Sequence, residues 1–537
     1  MITMLTRESQ RETLAKMMSR NQEIAVLLII IAFGIALRAW GLGARSYWFD
    51  EMQTAITATQ PVTQIPALAA AEERKTPLFH LIMHPWLLVS REETWARIPA
   101  LFFGVLAIPF AWLFAREAAA RNKGFVALVT AAIVAFNPAL IYYSQQLRMY
   151  SALGAFSLLN MYFFIRALRA LAARNGESEQ ATALKMTGGF LLAGLICSLM
   201  HPFFALLAAA EAIAAAVWLW PKWDKVLGVA LVSTFSAGPG IAVLIVESGG
   251  ISTVSEVFQK VSVQSALNVF RHMSVMYPTP PNADRVKDLI HKLVSAYPWH
   301  AALMLGVSAA VFAALFLLGI IAVRPWRVKT TLLLFILAPM AIMFGFSVAV
   351  WPIVTPRFLM NVLPVFSLFV AFGIALRRRA AWRTAALAAV LALSLVSIGY
   401  HAWDPHYDFR HIREVSAYLR ENAGERPVIH TAYSTYFSSY FYDRGRLNEY
   451  LLTPERLAFF RGGEIIKVCR PGATRLIEDV VKPGDEFYLV LPEWVEYWEA
   501  DRRSADESLS RYIDNNYQLL ERKGFYGAVA YKVRRLS

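Results

Sequence analysis

Long apolar runs separated by short basic clusters dominate the first 400 residues. The first, Ile24 to Trp40, is long enough for a helix to cross a hydrocarbon core about 30 Å thick. Similar runs recur at about 98–115, 125–143, 150–168, 186–203, 204–220, 226–246, 301–322, 331–350, 358–376 and 384–400. Together they predict a polytopic α-helical membrane protein with about eleven transmembrane helices. Thr76 to Ser90 is shorter and carries His80, His84 and Pro85, so it is expected at the interface instead of across the bilayer. After His401 the pattern changes. Asp408–Asn422 has helical amphipathicity, Pro427–Ala432, Glu486–Leu491 and Tyr526–Val533 read as strands, and Glu507–Asn516 reads as helix. The expected division is a membrane part, 1–400, with outer loops 41–97 and 247–300, and a soluble α/β domain, 401–537.

Composition agrees with this class: the 537 residues are 57% hydrophobic and 17% charged. The net charge of +14 raises the question of a nucleic-acid partner. Its distribution excludes one, because the Lys and Arg residues cluster in short loops, as topology signals and contacts to anionic membrane lipids do. Arg116/Arg121/Lys123, Arg166/Arg169/Arg174, Lys222/Lys225, Arg324/Arg327/Lys329 and Arg377/Arg378/Arg379/Arg383 fall on one side with the basic N-terminus. By the positive-inside rule that side is the cytoplasm, and an odd number of spans puts the C-terminal domain outside, in the periplasm. The basic N-terminal stretch lacks a small-residue cleavage site and reads as an uncleaved anchor. Cys197 and Cys469, the two cysteines, indicate neither a disulfide framework nor a metal-thiolate site.

Candidate chemistry collects on the outer face. Ser46-Tyr47-Trp48-Phe49-Asp50-Glu51 places adjacent carboxylates just beyond the first span. Asp50 suits a general base, and Glu51 a residue that tunes or positions it; the plain alternative is a solvated helix end. Tyr142-Tyr143-Ser144-Gln145-Gln146-Leu147-Arg148-Met149-Tyr150 follows the third span, with Arg148 a fork donor suited to phosphate. Trp351-Pro352-Ile353-Val354-Thr355-Pro356-Arg357-Phe358-Leu359 brings a second outer arginine, Arg357. His201 closes the fifth span and reads first as a packing residue, as does mid-span Glu211. The long loop 247–300 has the length of a lid over a lipid substrate.

In these motifs the chain resembles the family 39 glycosyltransferases, the bacterial relatives of protein O-mannosyltransferases and of the lipid A aminoarabinose transferase, which have the membrane GT-C fold. The resemblance rests on Trp48-Phe49-Asp50-Glu51, on Lys75-Thr76-Pro77-Leu78-Phe79-His80 with Trp86, on Tyr143 to Tyr150, and on Pro356-Arg357-Phe358-Leu359, in order over about 400 residues. Lys75 and Thr76 replace a usual His-Pro, and Gln146 replaces a usual Glu, at positions where substrates are handled. The resemblance implies a polyprenyl-phosphate-linked sugar as donor and one displacement with inversion at the anomeric carbon. It implies Asp50 as base with Glu51 beside it, and Arg148, Tyr150, Gln146, Lys75, His80, Arg357 and His201 as substrate-binding residues. It implies an acceptor that is a glycolipid, a glycan or a protein of the cell envelope, at the inner (plasma) membrane. No cofactor is indicated, although a carboxylate pair with a nearby histidine could hold a divalent cation. A lipid flippase or transporter is the main alternative; it predicts charges threaded through the membrane interior and duplicated halves, and no internal repeat is present. A ligase or polymerase of lipid-linked glycans would share the donor side.

The orientation is open to a direct test. A reporter that is active only outside the cytoplasm, fused after Ser537, is expected to be active. Activity of a cytoplasm-only reporter at that point would require an even number of spans.

Overall fold

The computed structural model describes residues 20–71, 75–173, 177–246, 262–275, 299–349, 354–403, 412–430, 433–452, 473–474, 477, 480–492, 517–525 and 528–536. The first helix, α1 (Arg20–Ala39), is followed by three short ones, α2 (Phe49–Ala58), α3 (Ile65–Ala71) and α4 (Leu78–Val89). Then come α5 (Glu93–Ala118), α6 (Lys123–Phe136), α7 (Pro138–Ser144), α8 (Tyr150–Ala172), α9 (Glu177–Met200), α10 (Phe204–Leu219) and α11 (Trp223–Val246). The bundle is completed by α12 (Val263–Ser274), α13 (Trp299–Ala322), α14 (Trp326–Ala349), a 3-10 turn (Pro356–Leu359), α15 (Leu363–Ala375) and α16 (Ala380–Trp403). Each expected apolar run lies on one or two of these helices. Among the described residues seven helices are long and apolar enough to cross a membrane, or eight if α6 and α7 form one span. The expectation of about eleven also includes the runs on α10, α13 and α15, which among the described residues appear as shorter apolar helices, Phe204–Leu219, Gly306–Ala322 and Leu363–Ala375. In loop 247–300, residues 262–275 and 299–300 are described; the expected lid otherwise lies outside the described residues, as does the helix expected at Glu507–Asn516.

The 57° bend between α6 and α7 has a local cause. Pro138 has no N–H, so the Val134 carbonyl loses its helical donor. Arg38 replaces it: its guanidinium donates to Val134 O (3.1 Å), Ala135 O (2.8 Å) and Gly34 O (3.1 Å). Asn137 caps the new helix by accepting from the Leu140 amide. Gln145, just past α7, donates to Arg38 O and Trp40 O at the end of α1. The turn that carries Gln146 and Arg148 is thereby tied to the mouth of the first span.

Helix α15 is the buried axis of the second half, with every residue from Leu363 to Ile374 shielded. It crosses α13 at two glycines. A Cβ on Gly319 would sit 1.9 Å from Phe369 O, and one on Gly373 2.0 Å from Leu315 O. Small residues permit this backbone contact, which is how membrane helices pack when lipid gives no hydrophobic drive between them.

The C-terminal part is a mixed sheet on which helices are packed. It comprises α17 (Ile412–Asn422), β1 (Val428–His430), α18 (Tyr433–Asp443), β2 (Glu449–Leu452), β3 (Ala473–Thr474), β4 (Glu486–Pro492), β5 (Tyr517–Phe525) and β6 (Ala528–Arg535). The strand order is β3-β2-β1-β4-β6-β5, parallel from β3 to β4 and antiparallel from β4 to β5. Alternation sorts the two faces. Val428, Tyr488 and Val490 pack with Ile412, Val415 and Leu419 of α17, while Ile429, Phe487, Leu489 and Val533 pack with Ile477 and Val481 on the other face.

A buried polar group sits under β1. His430 Nε2 lies 3.2 Å from Glu449 Oε1, and Asp443 at the end of α18 accepts from the Leu447 amide. Burial, reinforced by the charge of Glu449, pushes the Asp443 carboxyl from 3.8 up to about 6. As pH rises through that interval the unfolded chain releases a proton that the folded chain keeps, so stability falls. Asp443→Asn retains one acceptor oxygen and is expected to flatten that fall. Hydrogen exchange of the β2 amides at about pH 5 and pH 7, corrected for intrinsic rates, checks this.

Candidate active site

The site is built on the first turn of α2. The chain enters it extended at Trp48, so Asp50 and Glu51 occupy the positive end of the helix dipole. Glu51 reaches back to accept the Trp48 amide (3.3 Å) and also accepts the Leu147 amide at 2.7 Å. Its main partner is Arg97, whose Nε and Nη2 each lie 2.9 Å from one carboxylate oxygen. Arg97 donates further to Leu42 O, Arg45 O and Ser46 O, so all five of its N–H groups are used. Both side chains are shielded from solvent. Glu51 is therefore turned into the scaffold, where it joins α2, α5 and the 145–149 turn.

Asp50 points elsewhere. Arg357 Nη1 lies 2.9 Å and Arg148 Nη2 3.6 Å from its Oδ2. Arg148 also donates to Asp50 O (2.8 Å) and Thr54 Oγ1 (2.9 Å), which fixes it along the α2 backbone. Arg357 comes from the 3-10 turn that Pro356 starts, and its guanidinium lies over the rings of Trp48 and Phe358. Tyr150 stands beneath Arg148, 5.8 Å from ring centroid to guanidinium, and 5.9 Å from the ring of His201.

His201 packs against Phe203 and Phe358. Burial, then the charges of Arg148, Lys75 and Arg357, pushes it down to about 3. The imidazole is thus neutral, and its Nδ1 accepts the Phe203 amide, which leaves the ring proton on Nε2. The same electrostatics place Lys75, itself buried, within this cationic group. Gln146 is buried in the turn beside Arg148, with no hydrogen-bond partner for its amide atoms among the described residues. His80 is buried on α4, which packs on α2, with His84 Nδ1 2.8 Å from Ala58 O. Trp86 and Trp95 stack at 4.2 Å and exchange indole-to-carbonyl hydrogen bonds, joining α4 to α5.

Asp50, Arg148 and Arg357 are thus in direct contact, with Tyr150, His201 and Lys75 around them. Glu51 is adjacent but faces Arg97. Glu211 is buried midway along α10, and its carboxylate has no hydrogen-bond partner among the described residues. The carboxylates of Asp50 and Glu51 turn to separate arginines and do not converge, and among the described residues no group of three His, Cys, Asp or Glu side chains does. This arrangement does not fit a divalent ion held between the two carboxylates. Arg97 was not singled out from the sequence. It stands at the edge of an apolar run, where a basic residue reads as a topology signal; the available clue was that a buried carboxylate pair needs more than one counter-cation.

No family model and no curated protein matches the chain. Solved structures do. ArnT from Cupriavidus metallidurans, without ligand, superposes with a TM-score of 0.57 at 10% identity, over 94% of this chain and 97% of that one. The same protein bound to undecaprenyl phosphate gives 0.55 at 11% identity over the same shares. The Archaeoglobus fulgidus oligosaccharyltransferase tethered with an acceptor peptide gives 0.52 at 11%, over 96% and 74%. At these identities the likeness is one of fold. The chain shares the overall fold of these proteins, and a match over 94% of its length reaches beyond the helical part.

The buried pair gives a stability prediction. Arg97→Leu leaves Glu51 charged without its partner and is expected to cost about 3–5 kcal/mol. Adding Glu51→Gln should recover part of that loss. Thermal unfolding in detergent measures both, and a single variant within about 0.5 kcal/mol of wild type would show that the pair does not hold this region.

Proposed function

We propose that the chain is an inverting glycosyltransferase, moving a sugar from a polyprenyl-phosphate donor to a cell-envelope acceptor at the outer face of the inner membrane. The observation that carries this reading is the convergence of two guanidinium groups on Asp50. Glu51 is held by Arg97, while Arg148 and Arg357 both face the Asp50 carboxylate, with Lys75 in the same field. Guanidinium forks gathered in this way suit the dianion of a departing polyprenyl phosphate. The fold likeness to a protein solved with undecaprenyl phosphate supports the same ligand class. The orientation, with the N-terminus cytoplasmic and residues 401–537 as a periplasmic domain, belongs to this proposal.

In the reaction the acceptor O–H or N–H gives its proton to Asp50 while its heavy atom attacks the anomeric carbon from the face opposite the phosphate. The bond from anomeric carbon to phosphate oxygen breaks, and its electron pair stays on that oxygen. The guanidinium groups stabilise the charge that develops there. In this structure they are engaged with Asp50. A phosphate drawing Arg357 and Arg148 toward itself leaves the carboxylate able to accept a proton, so donor binding readies the base. Tyr150, Gln146, His80 and neutral His201 line the substrate side as polar and aromatic contacts. Glu51 acts through position, since Arg97 and the Leu147 amide occupy its oxygens.

Asp50→Asn keeps the shape and removes the basicity. It is expected to lower transfer by about 10² to 10⁴ while undecaprenyl phosphate still binds. Arg148→Ala should lose binding and transfer together, and Arg148→Lys should retain part of each. Mass spectrometry of envelope glycolipids, glycans and glycoproteins from cells with and without each variant reads transfer, and detergent-phase titration reads binding. Wild-type transfer by Asp50→Asn would remove it as the base.

A further inference from the structure

The C-terminal sheet domain meets the bundle at the segment from which the Asp50 helix starts. The Tyr442 hydroxyl, at the end of α18, accepts the Tyr47 amide (2.6 Å) and donates to Glu93 Oε1 (2.8 Å) at the start of α5. Arg413 from α17 donates to the same Glu93 oxygen at 3.1 Å, and its amide donates to Ser46 Oγ. Ser46 Oγ lies 3.4 Å from Glu414 Oε2. The Tyr47 ring is held by Tyr442 and Phe441 on one side and by the Arg97 guanidinium, 5.5 Å from its centroid, on another. Ser46, Tyr47, Glu93 and Tyr442 are buried or largely so at this contact. Two residues on from Tyr47 the helix begins, and the Asp50 carbonyl and Thr54 hydroxyl of that helix hold Arg148.

We propose that Tyr442 and Arg413 are positioning residues of the Asp50 site, so that docking of the C-terminal domain sets where α2 starts and with it where Arg148 presents its guanidinium. The domain is then part of the donor-binding apparatus. A purely architectural contact would hold the domain in place without affecting the first turn of α2. The two possibilities differ in how far a small perturbation travels.

Tyr442→Phe keeps both ring contacts and deletes the hydroxyl. Tyr418→Phe deletes an exposed hydroxyl of α17, bonded to Glu521 on β5, and serves as a control for loss of a tyrosine hydroxyl elsewhere in the domain. Hydrogen exchange is read at Tyr47 and at Met52, whose amide donates to Trp48 O within the first turn of α2. Coupling predicts about fivefold faster exchange at Met52 in Tyr442→Phe and no change in Tyr418→Phe. The second arm, which rests on the phosphate reading of the site, measures undecaprenyl phosphate binding to the full chain in detergent. Tyr442→Phe is expected to weaken it about three- to tenfold, with Arg413→Met acting in the same direction. An effect confined to Tyr47, or unchanged affinity in Tyr442→Phe where Arg148→Ala loses binding, would overturn the proposal. If wild type and Arg148→Ala bind the lipid alike, the phosphate reading falls, and the exchange at Met52 alone decides whether the domain positions the helix.

Discussion

The buried ion pair between Arg97 and Glu51 is the constraint on which the site depends. Taking both charges out of water costs several kcal/mol, and the pair is tolerable because every N–H of Arg97 and both oxygens of Glu51 find partners. Those partners come from four stretches of chain: the 42–46 turn, the start of α2, the start of α5 and the 145–149 turn. None can move without leaving a buried polar group unsatisfied. The pair therefore contributes geometry more than net stability, and the geometry it fixes is the approach of Asp50 to Arg148.

Four arginines near this end of the bundle divide into two kinds. Arg38 and Arg97 bind carbonyls and a carboxylate of the chain itself, and each repairs a local irregularity, the Pro138 break for one and the non-helical 42–46 turn for the other. Arg148 and Arg357 instead share the Asp50 carboxylate, with Arg148 held also by the Asp50 carbonyl and the Thr54 hydroxyl. The distinction lies in the partner, since the residue type is the same throughout.

That distinction marks where the sequence was legible. Apolar periodicity locates the long helices because a 20-residue run has few other uses, and the motifs around Asp50, Arg148 and Arg357 stand out because they place charge at the ends of apolar runs, away from the clusters that read as topology signals. The roles within the Asp-Glu pair rested on chain order and family pattern. Which carboxylate faces the cations depends on Arg97, 46 residues away, and no local pattern encodes that contact. The sheet was seen in part. The expected strands at Pro427–Ala432, Glu486–Leu491 and Tyr526–Val533 correspond to β1, β4 and β6, with β1 and β6 shifted at their ends. The edge strand β5 escaped because seven of its nine residues are exposed, leaving no apolar alternation to read. Helix α18 escaped because its apolar face is made of Tyr and Phe among serines, a composition that also suits strands.

Helix α15 bears on how the protein is made. At 13 residues it is about 20 Å long, too short to reach from one headgroup layer to the other. A translocating chain that partitions segment by segment into lipid has little reason to retain it there. Its place comes from the backbone contact at Gly319 and Gly373, which exists only once α13 lies beside it. Insertion of this part of the chain is therefore coupled to tertiary assembly: the segment enters the membrane as half of a helical pair, and the order of synthesis, α13 before α15, supplies its partner first.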